Sequence, residues 1–300
     1  MRKQHLILIA AAVIFATGCN RLDVIGMAVN RSHTEERVAD WLDWDNQNEP
    51  IVLDMPRNYC FFSCSDSHYS ESDGIVPQGE NDRLYHYMTA MRNEPDAAFA
   101  IHAGDMVNES GEGGFRMTQE AIRFNPNEQK WDRPCFLVIG NHDVYFDCAQ
   151  YFKQYFHTST YTVTVNADGV KDLFIFLDSA NGTHGERQLN WLEEQLSHRS
   201  EYRYCFVISH NWLFRTFYNY TTTPAANLPQ DEQYAFMDLM SRSEVNMVIM
   251  GHFHAREHRQ FGGVEYVMTD NLNEDEETPT YLVVNVNDKV TYEYRELVEE

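Results

Sequence analysis

Five short clusters of carboxylate, imidazole and amide side chains recur along this 300-residue sequence, and such side chains bind metal ions. In chain order the clusters are Asp66-Ser67-His68, Gly104-Asp105, Gly140-Asn141-His142-Asp143, His210 and Gly251-His252-Phe253-His254. Imidazole combined with carboxylate suits zinc, manganese or iron, whereas the clusters hold none of the thiolates that select softer metals. The glycines permit sharp turns and close approach of the backbone at a crowded centre. The pattern predicts a transition-metal site.

Each cluster stands directly after a short, nearly continuous apolar run. The five runs cover residues 59–65, 97–103, 135–140, 204–209 and 247–251. Runs of this kind are typical of strands that are buried on both faces of a layered α/β fold. Functional side chains of open α/β sheets gather where the carboxyl ends of the strands converge, so the five clusters can meet. One Asp-x-His or Gly-Asp pair means little, but five clusters at five strand ends are a specific signal.

Helical patterns and hairpins separate these strands. In one predicted helix, leucines recur at helical spacing and form a single apolar face. The predicted helices cover 81–92, 186–198 and 231–242, and the predicted hairpins pair 161–166 with 173–177 and 281–286 with 290–294. The glycine-rich residues 111–114 resemble no phosphate-binding loop and are predicted to form a flexible rim.

The N-terminus has the features of an export signal. Arg2 and Lys3 precede an apolar run over residues 6–16, and residues 16–19 read Ala-Thr-Gly-Cys. This pattern resembles a bacterial lipobox, which implies a signal peptide over residues 1–18 and lipidation of Cys19. An ordinary secretory signal with a coincidental cysteine is the alternative. We therefore expect an exported lipoprotein that is attached to a membrane by its lipid, at the periplasmic face or the cell surface.

An N-terminal extension with a short helix is predicted over residues 19–50, ahead of one domain over 51–300. Ser32 followed by Glu35 is typical of a capping box, and the helix that it opens runs through Trp41 and Trp44. This helix either packs on the domain or acts as a spacer from the membrane.

The order D-x-H, G-D, G-N-H-D, H, G-H-x-H resembles that of the calcineurin-like metallophosphoesterase superfamily. The resemblance covers roughly residues 51–295, and residues 177–179 and 188–192 are similar to a strand and helix that precede the fourth motif in that family. It implies an α/β fold, a layered α-β-β-α sandwich of two mixed sheets flanked by helices. The metal site would lie at the carboxyl ends of the strands.

The resemblance also implies two divalent or trivalent ions of manganese, iron or zinc. The implied ligands of the first ion are Asp66, His68, Asp105 and His254. Asp105 would bridge to the second ion, whose remaining implied ligands are Asn141, His210 and His252. One shared carboxylate is enough for two cations to approach within about 3.5–4 Å, the spacing found in two-metal hydrolases.

The implied reaction is hydrolysis of a phosphomonoester or phosphodiester by a metal-bridging hydroxide. By resemblance, His142 stabilises the transition state and protonates the leaving oxygen, while Asp143 orients its ring. The fourth motif reads Ser209-His210-Asn211-Trp212 rather than His-His-Pro-Pro, so the resemblance to cyclic-nucleotide phosphodiesterases is partial. The aromatic residues after the motifs form either a wall for a substrate or packing for the loops; they are Trp212, Phe214, Tyr145 and Phe146.

The amino-acid composition restricts the kinds of molecule that this protein is expected to bind. The 23 basic and 46 acidic residues give a net charge of −23, which disfavours binding to a nucleic-acid polymer. We therefore expect a small phosphorylated substrate, and membrane contact only through the N-terminal lipid. The sequence shows no oligomeric state. The alternative to an enzyme is a non-catalytic, metal-binding lipoprotein that keeps the fold as a binding module.

The six cysteines add little chemistry. Beyond Cys19, four of the remaining five lie in apolar runs, where a thiol behaves as a small hydrophobic side chain. We therefore predict that they are mainly buried core residues with at least one free thiol, and a disulfide bridge is left open.

Overall fold

Two β-sheets lie face to face at the centre of the molecule, and helices cover the outer face of each sheet. The computed structural model describes residues 33–69, 83–108, 111–123, 133–214, 228–273 and 276–298. Both sheets are mixed, with parallel and antiparallel neighbours. The predicted α-β-β-α sandwich is therefore confirmed.

Among the described residues the strands and helices alternate along most of the chain. The strands are β1 (Ile51–Met55), β2 (Tyr59–Cys64), β3 (Ala97–His102), β4 (Cys135–Leu137), β5 (Tyr161–Ala167), β6 (Val170–Phe176), β7 (Tyr204–Ile208), β8 (Met247–Met250), β9 (Glu257–Phe261), β10 (Val264–Met268), β11 (Thr280–Val286) and β12 (Val290–Glu296). The helices are α1 (Thr34–Gln47), α2 (Arg83–Asn93), α3 (Glu112–Arg123), α4 (Ala149–Phe156), α5 (Glu186–Ser197) and α6 (Gln230–Arg242). Short 3₁₀ helices cover His142–Asp147 and Arg199–Glu201.

The strand order brings the predicted clusters to one end of the sandwich. One sheet has the order β1-β5-β6-β7-β8-β10-β9, and the other has the order β12-β11-β2-β3-β4. Strands β2, β3 and β4 are parallel neighbours, and so are β6, β7 and β8. Because parallel strands end at the same edge, each sheet presents its motif-bearing loops together.

Aromatic rings fill the space between the two sheets. Phe61 of β2 stacks on Phe99 with centroids 5.4 Å apart and meets the edge of Phe174 at 5.1 Å, while Phe174 stacks on Phe206 at 4.6 Å. All four rings are fully buried. Such pairs contribute about 0.5–1.5 kcal/mol each beyond the burial of their area. This core makes the two sheets a rigid frame for the loops at their ends.

Helix α1 packs on the domain. Val38 and Trp41 are buried in the core that α2, α3 and α4 form on the outer face of the five-stranded sheet, and the ring of Trp41 lies 5.8 Å from that of Phe152. The two sequence-based possibilities for this helix are thereby resolved in favour of packing. The boundary at residue 50 stays a prediction.

The prediction that Glu35 forms a capping box at the start of α1 is wrong. Ser32, the other residue of that predicted capping box, lies outside the described residues. His33 occupies the N-cap position and makes no side-chain capping bond. Glu35 Oε1 instead accepts hydrogen bonds from the backbone amides of Glu186 and Arg187. These amides begin α5 and have no partner within their own helix. Glu35 therefore caps a helix that is distant in sequence.

The flexible rim predicted over residues 111–114 is also wrong. Glu112–Arg123 is a helix whose first turn contains Gly113 and Gly114, while Gly111 precedes it. A Cβ atom added at Gly114 would lie 2.5 Å from Cγ1 of Val107, so the glycine lets α3 approach the loop after β3 closely. The sequence-based interpretation also missed α4 and the β9–β10 hairpin.

The five cysteines among the described residues are free thiols, and most of them are buried, as predicted. Cys60, Cys64, Cys148 and Cys205 are buried and Cys135 is partly buried. Burial raises the pKa of the Cys205 thiol to about 12, which keeps it in the neutral form. Within the described part of the chain, every helix is too short or too polar to span a bilayer.

Candidate metal centre

The strand ends bring together the side chains that the sequence singled out. Asp66 and His68 follow β2, Asp105 follows β3, and the remaining clusters follow β4, β7 and β8. Three groups have ligand atoms within 4.8 Å of one another: Asp66, His68 and His254; His68, Asp105 and His142; Asp105, His210 and His252. Asn141 joins them, because its Oδ1 lies 3.1 Å from Nε2 of His210. The groups share members and form one continuous centre.

The backbone at this centre is in an uncommon conformation. Among the predicted ligands, φ is positive at Asp66 (55°), His68 (50°), Asp105 (57°), His252 (84°) and His254 (48°). Asp and His tolerate the left-handed region better than most residues, but the conformation still costs about 1–3 kcal/mol per residue. Strain of this kind collects at functional sites, where it turns side chains toward a common point.

Asp66 lies at the centre of one half of the site. Its Oδ1 is 3.4 Å from Nε2 of His254 and 3.7 Å from Nε2 of His68, and these two ring nitrogens are 3.0 Å apart. Its Oδ2 accepts hydrogen bonds from the His252 amide and from Oγ of Ser65. Burial by itself would raise the pKa of Asp66, but the charge of His254 holds it well below its usual range. Asp66 is therefore a buried carboxylate that stays ionised.

His210 lies at the centre of the other half. Its Nδ1 donates a hydrogen bond of 2.8 Å to the carbonyl of Ala103, which leaves Nε2 directed at Oδ2 of Asp105, 3.2 Å away. A Cβ atom at Gly104, where φ is +96°, would lie 2.5 Å from Nδ1 of His210, so only glycine fits between them. Burial would lower the pKa of His210, but the charge of Asp105 raises it to about 9.

Several buried polar atoms of the centre lack a hydrogen-bond partner. Oδ1 of Asp66, Nδ1 of His68 and both ring nitrogens of His252 are buried in this way. Burial, with the nearby charge of His210 acting in the same direction, lowers the pKa of His252 to about 3, so its ring is neutral, the form that binds metals. Buried polar groups without partners are rare in proteins, and a cation would satisfy these. The residues present therefore fit a metal centre of imidazole and carboxylate ligands.

His142 is held at the edge of this centre. Its backbone amide donates a 2.7 Å hydrogen bond to Oδ1 of Asp105, and its Nδ1 donates one of 2.6 Å to the carbonyl of Asn108. The ring meets that of His68 edge-on, with centroids 4.6 Å apart. Because Nδ1 is engaged, Nε2 is the nitrogen that remains for a substrate.

The prediction that Asp143 orients the ring of His142 is wrong. The buried carboxylate of Asp143 accepts hydrogen bonds of 2.8–3.0 Å from four backbone amides, those of Gly140, Asp105, Met106 and Val107. Burial and then the charge of Asp105 raise the pKa of Asp143 above its usual range, whereas the backbone amides of Gly140 and Val107 favour the ionised carboxylate. Asp143 therefore joins the loops after β3 and β4, while the Asn108 carbonyl orients the ring.

Tyr145 is a member of the site that the sequence suggested only as one aromatic residue among four. Its hydroxyl accepts a 3.1 Å hydrogen bond from Nδ2 of Asn141, and its ring lies 4.9 Å from that of His142. Its position three residues after a motif histidine was the available signal. Trp212, by contrast, is buried against Phe214 and packs the loop, whereas Phe146 is 62% exposed.

A hydrogen-bonded series of Glu232, His184 and Ser209 has the order of an acid–histidine–serine triad. Oε1 of Glu232 is 3.2 Å from Nδ1 of His184, and Nε2 of His184 is 3.2 Å from Oγ of Ser209. His184 and Ser209 are completely buried, and the Ser209 hydroxyl donates to Oγ of Ser179. A substrate cannot reach this serine, so the series supports the fold beside His210 and is not a nucleophilic site.

Comparisons with known proteins agree with this geometry. The model of the calcineurin-like phosphoesterase family matches residues 61–256. The 3′,5′-cyclic adenosine monophosphate phosphodiesterase CpdA of Haemophilus influenzae is 26% identical over 201 residues, which are 65% of this chain and 68% of that protein.

Two solved structures share the fold. GAP50, described as the anchor in the inner membrane complex of Plasmodium, superposes with a TM-score of 0.60 at 13% identity, over 81% of this chain and 86% of that one. The purple acid phosphatase PPD1 of yellow lupin seeds gives a TM-score of 0.58 at 12% identity, over 80% of this chain and 52% of that one.

Proposed function

We propose that this chain, which belongs to the calcineurin-like phosphoesterase family and is a phosphoester hydrolase, cleaves its substrate at a centre of two transition-metal ions. The observation that carries the proposal is the position of Asp105 between two ligand groups. Its carboxylate lies within 4.8 Å of ligand atoms of His68 on one side and of His210 and His252 on the other. A carboxylate in that position can serve two cations at once.

The ligands divide into two sets around Asp105. Asp66, His68 and His254 complete the first set, and Asn141, His210 and His252 complete the second. When bound, manganese, iron or zinc ions would supply Lewis acidity to the phosphoryl oxygens and lower the pKa of water. The chain's own part is to hold two buried carboxylates and four histidines with these atoms already converged.

His142 acts on the leaving group in this proposal. The Asn108 carbonyl holds its Nδ1–H, so a protonated ring presents Nε2–H to the reacting ester, gives that proton to the departing oxygen and is left as the neutral Nδ1–H imidazole. Tyr145 packs on the ring and bonds to the neighbouring Asn141, which restricts the motion of both side chains. The substrate oxygen is thus met by a positioned donor.

Small nucleotide phosphodiesters are the substrate class to test first. The relative from Haemophilus influenzae is described as a cyclic adenosine monophosphate phosphodiesterase, and it aligns with two thirds of this chain. Phe146, held at φ 53° and 62% exposed just after His142, offers a surface on which a base can stack. The whole chain is strongly acidic, which favours small substrates over polynucleotides.

Export and lipid anchoring are part of the proposal. Cys19 lies outside the described residues, and its support is the signal-like sequence that precedes it. A lipid there would place the hydrolase at a membrane surface with its metal centre in the folded domain.

The direct experiment compares Asp105→Asn with Asp40→Asn, an equally conservative change at an exposed position of α1. Wild-type protein loaded with Mn²⁺ is assayed against p-nitrophenyl phosphate, its bis ester and cyclic AMP. We expect wild type and Asp40→Asn to hydrolyse at least one of these esters. The rate of Asp105→Asn should be at least 100-fold lower, which is about the effect of removing one contact that stabilises the transition state. Metal-loaded wild type that turns over none of the three esters would favour a binding module, a role compatible with the fold.

A further inference from the structure

We propose that helix α1 is a positioning element for the loop that carries His210. The helix ends at Gln47 and therefore lies outside the residues 61–256 that the family model matches. The inference rests on the proposed two-ion centre, because its effect is on the ligand set that contains His210. Three successive contacts connect α1 to the imidazole of His210.

The first contact joins α1 to Asp178, which follows β6. The guanidinium of Arg37 donates to Oδ2 of Asp178 from Nε at 2.9 Å and to Oδ1 from Nη2 at 3.0 Å, and Nε1 of Trp41 donates to Oδ2 at 3.0 Å. Arg37, Trp41 and Asp178 are all buried. A two-pronged Arg–carboxylate pair restricts both distance and angle, so the carboxylate is fixed relative to the helix.

The second contact joins the next residue, Ser179, to the ligand loop. Oγ of Ser179 accepts hydrogen bonds from the backbone amides of His210 at 3.2 Å and Asn211 at 3.0 Å. Ser179 is completely buried. Because Asp178 and Ser179 are consecutive, a shift of Asp178 relative to the sheet moves the hydroxyl that holds the His210 backbone.

The third contact is that of His210 with its surroundings, which leave little room for adjustment. Its Nδ1 is bonded to the Ala103 carbonyl, and its Nε2 lies 3.2 Å from Asp105 and 3.1 Å from Asn141. Metal–ligand distances are defined to about 0.2 Å. A small displacement of this backbone therefore changes the fit of a cation, as changes beyond the direct ligands commonly do.

A purely stabilising role does not account for the buried pair. Replacing a buried ion pair by apolar residues is often neutral or stabilising, so Arg37 and Asp178 are a poor source of stability. Helix α1 has other contacts for that purpose: Val38 in the core, Trp44 stacked on His157 with centroids 5.6 Å apart, and an ion pair between Asp40 and Lys153. The Arg37–Asp178 pair instead restricts helix α1 and the residues after β6 to one relative position.

The test uses the same substitution at two positions of the helix. Trp41→Phe keeps an aromatic ring beside Phe152 but removes the hydrogen bond to Asp178, whereas Trp44→Phe changes the stacking contact with His157 and leaves that hydrogen bond in place. Arg37→Lys keeps the charge and removes the two-pronged bond. Binding of Mn²⁺ to the full chain is measured by the EPR signal of free Mn²⁺, at a temperature where thermal scans show every variant folded. His210→Ala should remove the Mn²⁺ ion that is bound by the ligand set of Asp105, Asn141, His210 and His252, and so identifies which of the measured Mn²⁺ affinities belongs to that set.

We expect Trp41→Phe and Arg37→Lys to weaken that affinity about 3- to 10-fold, at or below the range found for residues that directly support a ligand. Trp44→Phe should leave it within twofold of wild type. In a double-mutant cycle, Ser179→Ala should abolish the further effect of Arg37→Lys, since both act through the same hydroxyl. Equal affinities in Trp41→Phe and Trp44→Phe, or additive effects with Ser179→Ala, would overturn the inference. Wild type that binds no Mn²⁺ at the His210 set would overturn the proposed function instead.

Discussion

The carbonyl of Asn108 accepts a 2.6 Å hydrogen bond from Nδ1 of His142, across the gap between the loops after β3 and β4. This bond keeps a proton on Nδ1 in both the neutral and the protonated ring, and it directs Nε2 away from the protein backbone. A main-chain carbonyl cannot become protonated at neutral pH, so it orients the ring without exchanging a proton with it. In the proposed mechanism, the proton that reaches the leaving oxygen therefore comes from Nε2 of the protonated ring.

His142→Ala is expected to slow hydrolysis in a manner that depends on the leaving group. A general acid contributes about 10²- to 10⁴-fold, and an alkoxide needs its proton more than p-nitrophenolate does. The rate should fall steeply for an alkyl phosphate ester and little for the p-nitrophenyl ester, with the metal content unchanged. Equal losses for both esters in a fully metal-loaded variant would leave His142 only an electrostatic role.

Asp105→Ala should remove more metal than Asp66→Ala does. Asp105 borders both ligand sets, whereas Asp66 belongs to one, so the first variant should lose both ions and the second about one. Elemental analysis after reconstitution with Mn²⁺ measures the difference, and a chelator should remove metal and activity together from wild type. Retention of two ions by Asp105→Ala would contradict the shared-ligand assignment.

Asp143→Asn tests the corrected role of that residue. An amide group cannot accept all four backbone hydrogen bonds, so at least one buried amide loses its partner, at a cost of about 1–3 kcal/mol. The melting temperature should therefore fall, and metal affinity should fall with it because the loops of Asp105 and Asn141 separate. A variant that keeps its stability and metal but loses general-acid catalysis would restore the orienting role.

The acid sensitivity of the fold should change in Glu232→Gln. Burial would raise the pKa of Glu232, but its hydrogen bonds and charge interaction with His184 lower it below 4.5. A depressed pKa stabilises the folded state above the unfolded-state pKa, and this stabilisation is lost as the pH falls through the folded-state pKa. Urea unfolding between pH 6 and pH 3 should thus show a shallower loss of stability in Glu232→Gln. An unchanged slope would mean that the ion pair contributes nothing.

Cys19→Ser should move the protein from the membrane fraction to the soluble fraction and leave its catalytic rate unchanged. The proposed lipid acts only as an anchor, and the metal centre is built from residues of the folded domain. Fractionation of cells that express each form, with immunodetection and an ester assay, measures both properties. Membrane attachment of the serine variant would disprove the lipobox interpretation.

The sequence by itself determined the sandwich and the set of side chains that converge at the candidate metal centre. The burial of strands such as β2, β3 and β8 can be predicted from their apolar composition alone. The chemistry of the clusters that follow these strands can be predicted from their residue types. Because parallel strands end at one edge, the approximate meeting point of Asp66, Asp105 and His252 followed without further information.

Only the tertiary structure decided what holds these side chains in place. Asp143 stands next to His142 in sequence, yet its carboxylate bonds to amides of another loop, and Asn108 takes the place predicted for it. Arg37 is 141 residues from Asp178, and Glu35 caps a helix 151 residues away. Such bonds depend on the distance and direction between loops that are separate in the chain. Since no periodicity or spacing records that geometry, the sequence identified the candidate ligands but not the residues that support them.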